Sequence, residues 1–301
     1  MHFLSSNDLS KASINKVFDI ADNLVSGSEE LTLKEHATLA LLFSEPSTRT
    51  RISFEVAMAQ LGGHAIYVDM STTHLKRGET LADTAKVISS YCDFIAMRTD
   101  NHDDLLTFAQ NSSVPVINAL TRLDHPTQAL ADTYTIMKYF GRIKGIKIAF
   151  LGDIAQNTAN ALMLTASKLG AEIALVGPEG LPPNEVYFNK AREYGKVDVY
   201  NDIAEGVEGS DVLYTDTFIS MGLENEAEKR RNLFSQYQLN EAVLENAKKG
   251  AIVMHPLPAH RGEEITEDVL DGAHSVVWTQ AKNKLLLEKA ILIYLSNNET
   301  K

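Results

Sequence analysis

A complete strand–helix–strand unit lies in residues 146–176, whose sequence is IKIAFLGDIAQNTANALMLTASKLGAEIALV. Two short apolar runs, 146–151 and 171–176, flank a segment with helical periodicity at 156–169. Parallel strands require a crossover connection of this kind, so the stretch predicts a βαβ unit. We therefore predict an α/β fold built on parallel sheets.

The same alternation continues along the chain. Further strands are predicted at 38–43, 64–69, 93–98, 114–118, 197–200, 211–215, 250–254 and 275–278. Further helices are predicted at 48–61, 80–91, 126–140 and 280–296. This is a large number of strands for one sheet in a chain of 301 residues. We therefore predict two parallel sheets, each flanked by helices in a doubly wound arrangement, with a break near helix 126–140.

The composition excludes several classes of protein. Hydrophobic residues make up 44% and charged residues 23% of the chain, as in globular proteins. The net charge of −12 argues against non-specific nucleic-acid binding, which needs a cationic surface. The single cysteine, Cys92, excludes an intramolecular disulfide and a multi-cysteine metal site. Neither a long apolar run nor a signal-peptide pattern is present, so we expect a cytoplasmic protein with no membrane partner.

Polar residues follow the carboxyl ends of six predicted strands. They are Arg49, Arg98, His125, Asn157, Asp216 and His255. In open α/β sheets the ligand crevice lies outside these strand ends. Because the six strands come from both halves of the chain, we predict one active site in the cleft between two domains.

The segment STRTR at 47–51 opens a predicted helix, with Ser47 as its N-cap. First-turn amides and the helix dipole favour an anion at this position. Arg49 and Arg51 diverge around the helix, so one can bind a phosphate while the other has a structural role. A capped helix with two surface arginines is the simpler alternative. Walker and dinucleotide glycine patterns are both absent, which argues against a nucleotide-binding dehydrogenase.

Four segments together resemble the aspartate and ornithine carbamoyltransferases. They are STRTR at 47–51, MRT at 97–99, HPTQ at 125–128 and HPLP at 255–258. The resemblance implies a carbamoyl-phosphate site formed by Ser47, Thr48, Arg49, Thr50, His74, Arg98, His125, Gln128, Pro256, Leu257 and Lys284. Arg49, Arg98 and His125 are expected to be its catalytic residues.

The second half resembles the ornithine branch of this family. The stretch TDTFISMG at 215–222 is similar to the loop that binds the amino-acid end of ornithine. Ala259 stands where the aspartate branch normally has an arginine. The resemblance implies that ornithine is bound by Asn157, Asp216, Ser220 and Met221.

Three positions depart from the ornithine pattern. Pro256 replaces the usual cysteine, Lys284 an arginine and His74 a glutamine. Pro256 belongs to the aspartate branch's sequence and keeps aspartate open as the acceptor. The three departures together keep open a non-catalytic paralogue that binds carbamoyl phosphate.

Several of these residues also have simpler interpretations. Arg98 is close enough in the sequence to form an ordinary ion pair with Asp93 or Asp100. His255 precedes a proline and can be a structural histidine in a turn. The charged run at 224–231 is most simply a solvated helix with opposite-charge pairs.

The resemblance implies transfer of a carbamoyl group from carbamoyl phosphate to the δ-amine of L-ornithine. The products are L-citrulline and phosphate, in arginine biosynthesis or in the reverse catabolic direction. Residues 1–133, completed by a C-terminal helix at 281–301, are expected to bind carbamoyl phosphate, and 134–280 the amino acid. No metal or organic cofactor is implied. A homotrimer, or a multiple of trimers, is implied, with the loop of His74 reaching a neighbour's site.

Overall fold

The computed structural model describes residues 1–28, 31–219 and 224–298. Contacts divide the chain into two compact units. Unit 1 comprises Met1–Leu130 and Lys284–Lys301, and unit 2 comprises Ala131–Asn283. Each unit is built around one parallel sheet.

Unit 1 contains a four-stranded sheet in the order β2-β1-β3-β4, with every pair parallel. Its strands are β1 Thr38–Phe43, β2 His64–Asp69, β3 Phe94–Arg98 and β4 Val116–Leu120. Its helices are α1 Lys11–Ser26, α2 Arg49–Gln60, α3 Leu81–Ser89 and α4 His102–Asn111. Apolar side chains of β1 and β3 form a core with Leu105 and Phe108 of α4. This burial accounts for the nearly continuous apolar sequences of the strands.

Unit 2 contains a five-stranded parallel sheet in the order β7-β6-β5-β8-β9. Its strands are β5 Lys147–Leu151, β6 Glu172–Val176, β7 Val197–Tyr200, β8 Val212–Thr215 and β9 Ile252–Met254. The remaining helices are α5 Pro126–Phe140, α6 Asn157–Leu169, α7 Glu185–Arg192, α8 Ile203–Val207, α9 Ala227–Phe234, α10 Glu241–Glu245, α11 Glu267–Leu270 and α12 Val277–Asn297. The boundaries between the units fall within α5 and α12.

The predicted pair of helix-flanked parallel sheets is confirmed. One predicted strand is wrong, because residues 275–278 do not form one. Ser275 makes a single bridge to Val253, and α12 begins at Val277. The run SVVW at 275–278 has the same short apolar pattern as a strand, and periodicity cannot separate such a run from the start of a helix. None of the described helices is long and apolar enough to cross a membrane.

Strand register brings the predicted site residues together within each unit. In unit 1, Phe43 at the end of β1 pairs with Arg98 at the end of β3. In unit 2, Leu151 at the end of β5 pairs with Thr215 at the end of β8. The loops that follow these strands therefore begin at one edge of each sheet.

Candidate active site

The β1–α2 turn leaves the start of α2 without a side-chain cap. Ser47 was predicted as the N-cap, but the helix begins at Arg49 and the N-cap residue is Thr48. Thr48 has helical φ and ψ angles of −80° and −56°, and its side chain makes no capping hydrogen bond. An N-cap side chain normally reaches the first-turn amides from an extended backbone. This helix start therefore retains the properties of an anion site.

The two arginines of this segment have different environments. The Nε of Arg51 donates to Glu55 Oε1 at 2.9 Å, and its guanidinium lies 3.8 Å from the centre of the Tyr67 ring. Arg49 is exposed at the first position of α2. The structure thus gives Arg51 a structural role, and it places Arg49 at the surface beside the helix start.

Arg98 lies beside this turn at the end of β3. Its side chain is buried, and its Nη1 donates to Ser47 Oγ at 3.4 Å. Burial lowers the pKa of Arg98 to about 10, with Arg49 adding to the effect and Glu45 opposing it. Arg98 is therefore still a cation at neutral pH. The two acids considered as its partners form ion pairs elsewhere, Asp93 with Lys34 and Asp100 with Arg122.

Lys284 joins three helices of unit 1 at the same place. From α12 its Nζ donates to Thr50 Oγ1 of α2 at 2.9 Å and to Gln128 Oε1 of α5 at 3.1 Å. His125 precedes α5 and is buried. Its pKa is held well below 6.5 by burial and by the charges of Lys284 and Arg98. The cluster thus combines fixed cations with an imidazole that is neutral at physiological pH.

His74 is the unit 1 residue that the structure leaves outside this cluster. It is exposed on a short 3₁₀ helix, His74–Arg77. Within the described part of unit 1, no side-chain hydrogen bond or ion pair joins His74 to Arg49, Arg98 or Lys284.

In unit 2, Asp216 and Asn157 meet through Thr158. Asp216 follows β8, and its carboxylate accepts from the Thr217 amide at 2.7 Å. The hydroxyl of Thr158 donates to Asn157 Oδ1 at 3.3 Å. Hydrogen bonding by the same side chain also lowers the pKa of the Asp216 carboxyl. Burial raises the pKa of Asp216, against the opposing effects of His255 and these hydrogen bonds. The predicted residues Ser220 and Met221 lie outside the described residues.

Hydrogen bonds of His255, the first residue after β9, hold the loop that follows this strand. The amide of His255 donates to Gln280 Oε1 at 3.0 Å, and the amide of Leu257 donates to His255 Nδ1 at 2.9 Å. Because Nδ1 accepts this hydrogen bond, the ring donates through Nε2, which lies 3.1 Å from Glu264 Oε1. Leu257 has a φ of +61°, and the Leu257–Pro258 peptide bond is cis. His255 therefore shapes the backbone on either side of Pro256.

Comparison with known proteins agrees with this arrangement. Residues 1–138 match the family described as "Aspartate/ornithine carbamoyltransferase, carbamoyl-P binding domain". Residues 144–295 match the one described as "Aspartate/ornithine carbamoyltransferase, Asp/Orn binding domain". The chain belongs to the aspartate/ornithine carbamoyltransferase family.

Relatives in this carbamoyltransferase family match over most of their length. Ornithine carbamoyltransferase of Pyrococcus abyssi is 48% identical over 268 residues, covering 87% of this chain and 84% of that protein. The enzyme of the same name from Picrophilus torridus is 44% identical and covers 95% and 99%. The predicted membership of the family, and the resemblance to its ornithine branch, are confirmed.

Solved structures of carbamoyltransferases share the fold. Ornithine carbamoyltransferase from Pyrococcus furiosus superposes with a TM-score of 0.92 at 43% identity, covering 99% of this chain and 97% of that one. The anabolic ornithine carbamoyltransferase from Campylobacter jejuni also has a TM-score of 0.92, at 37% identity, with 98% and 99% covered. Like these relatives, the protein is a carbamoyl-transferring enzyme.

Sequence reasoning missed one contact that holds the loop at 215–219 of this carbamoyltransferase. The run 224–231 was predicted to be solvated, yet Arg230 is buried and forms an ion pair with Asp153. Its Nε also donates to the carbonyl of Phe218 at 2.7 Å. The prediction was wrong for Arg230 because helical periodicity does not show which charged residue meets a buried acid from a distant loop.

Sequence reasoning also missed a buried hydrogen-bond network that supports the His255 loop. The hydroxyl of Tyr214 donates to Asp132 Oδ2 at 2.9 Å, and Gln280 Nε2 donates to Asp132 Oδ1 at 2.7 Å. These three residues are buried and lie far apart in the sequence. Gln280 also accepts from the His255 amide, so the network supports the loop indirectly. Among the residues 1–28, 31–219 and 224–298, no group of His, Cys, Asp and Glu is arranged to hold a metal ion.

Proposed function

We propose that the protein transfers the carbamoyl group of carbamoyl phosphate to the δ-amine of L-ornithine, forming L-citrulline and phosphate. One observation carries the proposal. Arg98, Lys284 and a neutral His125 converge at the start of α2 in the part of the chain that matches a carbamoyl-phosphate-binding domain. Fixed cations suit a dianionic phosphate, and a neutral imidazole suits a carbonyl oxygen.

The phosphate end of the substrate is assigned to the start of α2. Its amides, together with Ser47, Thr48, Arg49 and Thr50, donate to the phosphate oxygens. The exposure of Arg49 and the missing side-chain cap at Thr48 support this assignment. Lys284 adds a cation there, but as a point charge without the bidentate fork of an arginine.

The carbamoyl end is assigned to Arg98, His125 and Gln128. Arg98 bridges phosphate and carbonyl, while the N–H of neutral His125 donates to the carbonyl oxygen. The carbamoyl NH₂ group donates to Gln128 and to the carbonyl of Leu257, next to Pro256. The left-handed backbone of Leu257, held by His255, supports a fixed direction for that carbonyl.

The reaction requires a neutral amine. Asp216 pairs with the α-ammonium of ornithine, while Asn157, Ser220 and Met221 hold its carboxylate end. The δ-nitrogen then forms a bond to the carbamoyl carbon, giving a tetrahedral oxyanion. Each donor already aimed at that oxygen lowers the barrier by about 3–4 kcal/mol. Cleavage of the C–O bond releases phosphate, which takes the proton lost by the amine.

A two-acceptor assay tests this function. Purified protein is supplied with carbamoyl phosphate and either L-ornithine or L-aspartate, and the products are quantified. We expect citrulline with ornithine and no carbamoyl aspartate with aspartate. Turnover with aspartate alone, the outcome that Pro256 favours, would show that the acceptor is wrong. Binding of carbamoyl phosphate without either product would identify a non-catalytic paralogue.

We further propose that the protein works in the cytoplasm as a homotrimer or a multiple of trimers. The exposure of His74 supports a role for its loop in a neighbour's site. Size-exclusion chromatography with light scattering measures the assembly. A fully active monomer would contradict it.

A further inference from the structure

A buried carboxyl group lies one helical turn beyond Lys284 on α12. Glu288 has 0% of its surface exposed, and its i,i+4 spacing places it on the same face of the helix as Lys284. Lys284 is itself directed to Thr50 and Gln128. Glu288 therefore lies next to a cation assigned above to the phosphate.

The carboxyl of Glu288 is poorly compensated for its burial. Neither of its oxygens accepts a well-formed hydrogen bond from a described residue. The hydroxyl of Ser53 on α2 faces it but donates at 3.2 Å to the carbonyl of Thr50. An ionised carboxylate that accepts no well-formed hydrogen bond is costly in such a place, so the neutral acid is favoured.

Few charges act on this group. Lys284 on its own helix favours ionisation of Glu288, and from α2 only the uncharged Ser53 acts on it among the described residues. The other titratable residue of the cluster is His125, which precedes α5 and is neutral because its pKa is lowered. Burial outweighs both favourable contacts and raises the pKa of Glu288 to about 8.

We propose that Glu288 is a positioning residue that controls, through Lys284, how tightly the enzyme holds the phosphate of its substrate. The proposal rests on the proposed function of Lys284 at the carbamoyl-phosphate site. With Glu288 protonated, the charge of Lys284 acts on the phosphate. When the Glu288 proton is lost, the carboxylate pairs with Lys284 and competes with the anionic ligand. Anion binding and proton binding are therefore linked.

The sign of the effect follows from this linkage. At pH values well below the pKa of Glu288, the free protein already holds the proton and binds the anion tightly. Above that pKa the bound anion must restore a proton that the free protein has lost, so binding weakens. For one linked proton, the dissociation constant rises by up to about tenfold for each pH unit above the pKa. At the pKa itself, about half a proton is taken up for each anion bound.

Calorimetric titration with inorganic phosphate measures this linkage in the full-length protein. Affinity is determined from pH 6.5 to 9.5, in buffers of different ionisation enthalpy, for the wild type, Glu288→Gln and Lys284→Arg. Glu35→Gln is the control for the loss of one negative charge, because the Glu35 side chain is 89% exposed. The ionisation of phosphate itself affects all four proteins equally.

We expect the alkaline loss of affinity in the wild type, Lys284→Arg and Glu35→Gln, and its absence in Glu288→Gln. Arginine keeps its charge throughout this range, so Lys284→Arg separates titration of the carboxyl from titration of the lysine. If Glu288→Gln fails to fold, Lys284→Arg still tests the proposal. Parallel curves for the wild type and Glu288→Gln would overturn the proposal, and so would a loss of the effect in Lys284→Arg.

The two proposals fail in different ways. Citrulline formation without the pH effect on phosphate binding would reject the role of Glu288 alone. The pH effect without citrulline formation would reject the proposed function and leave the linkage between Glu288 and Lys284 in place.

Discussion

His255 Nε2 lies 3.1 Å from Glu264 Oε1, and both side chains are fully buried. The same carboxylate oxygen accepts from the His260 amide at 2.5 Å. Glu264 thus fixes both ends of the loop 255–260. Burial alone would raise the pKa of Glu264, but the hydrogen bonds from His255 and His260 outweigh it and lower the pKa below 4.5.

Replacing Glu264 by glutamine is expected to destabilise unit 2 by about 1–3 kcal/mol at pH 7, because charge-assisted hydrogen bonds are lost. A carboxyl with a lowered pKa contributes stability above its unfolded pKa, and this is lost as the pH falls through the folded pKa. The difference in unfolding free energy between the wild type and Glu264→Gln should therefore shrink below pH 4.5. Urea unfolding followed by the fluorescence of Trp278, the single tryptophan, measures this difference.

The neighbouring Glu263 provides the matched control. Its partly exposed side chain pairs with Arg231 at 3.1 Å. Glu263→Gln should cost less than about 1 kcal/mol, as exposed ion pairs usually do. Equal losses of unfolding free energy in Glu264→Gln and Glu263→Gln would show that the buried hydrogen bonds of Glu264 stabilise the protein no more than an exposed ion pair.

Arg49→Ala is expected to reduce kcat/KM for carbamoyl phosphate by about 100-fold or more, equivalent to about 2.7 kcal/mol, because a charged phosphate contact is lost. Arg51→Ala removes instead the contacts to Glu55 and Tyr67. It should mainly lower the thermal midpoint. Steady-state kinetics and thermal unfolding of both variants separate the roles, and a larger kinetic loss in Arg51→Ala would reverse the assignment.

Asp216→Asn is expected to raise KM for ornithine at least tenfold and to leave KM for carbamoyl phosphate within about twofold, since only the ammonium partner is neutralised. The raised pKa of Asp216 places the acid limb of kcat/KM for ornithine above pH 3.8. That limb should disappear in the variant. Asp198→Asn, which removes a surface ion pair with Lys196, is the control. Unchanged ornithine kinetics in Asp216→Asn would refute the assignment.

Glu288→Gln is expected to stabilise the protein increasingly as the pH rises from 5 to 8. The folded pKa of about 8 lies above the ordinary 4.5, so the folded state binds more protons than the unfolded state across this window. Wild-type stability therefore falls with rising pH, and a glutamine removes that loss. Thermal midpoints of the two proteins across this range test it. A difference that does not vary with pH would contradict the buried, protonated carboxyl.

Hydrophobic periodicity was sufficient for most of the fold. β1, β2, β7 and α5 have the predicted bounds, because their apolar runs are interrupted by clear turns. It failed at residues 275–278, where the start of a helix has the composition of a strand. The candidate unit 1 site was predicted from short motifs that lie at strand ends, and the register of Phe43 with Arg98 brings them to one edge.

The sequence by itself determined the two parallel sheets, the family and the residue types at the candidate site. Only the tertiary structure decided that Arg51 contacts Glu55 and Tyr67, that Arg230 is buried, and that the carboxyl of Glu288 is buried. The physical reason is distance along the chain. Lys284 and Thr50 are 234 positions apart, and the burial that shifts the pKa of a carboxyl is created by helices that no local pattern brings together.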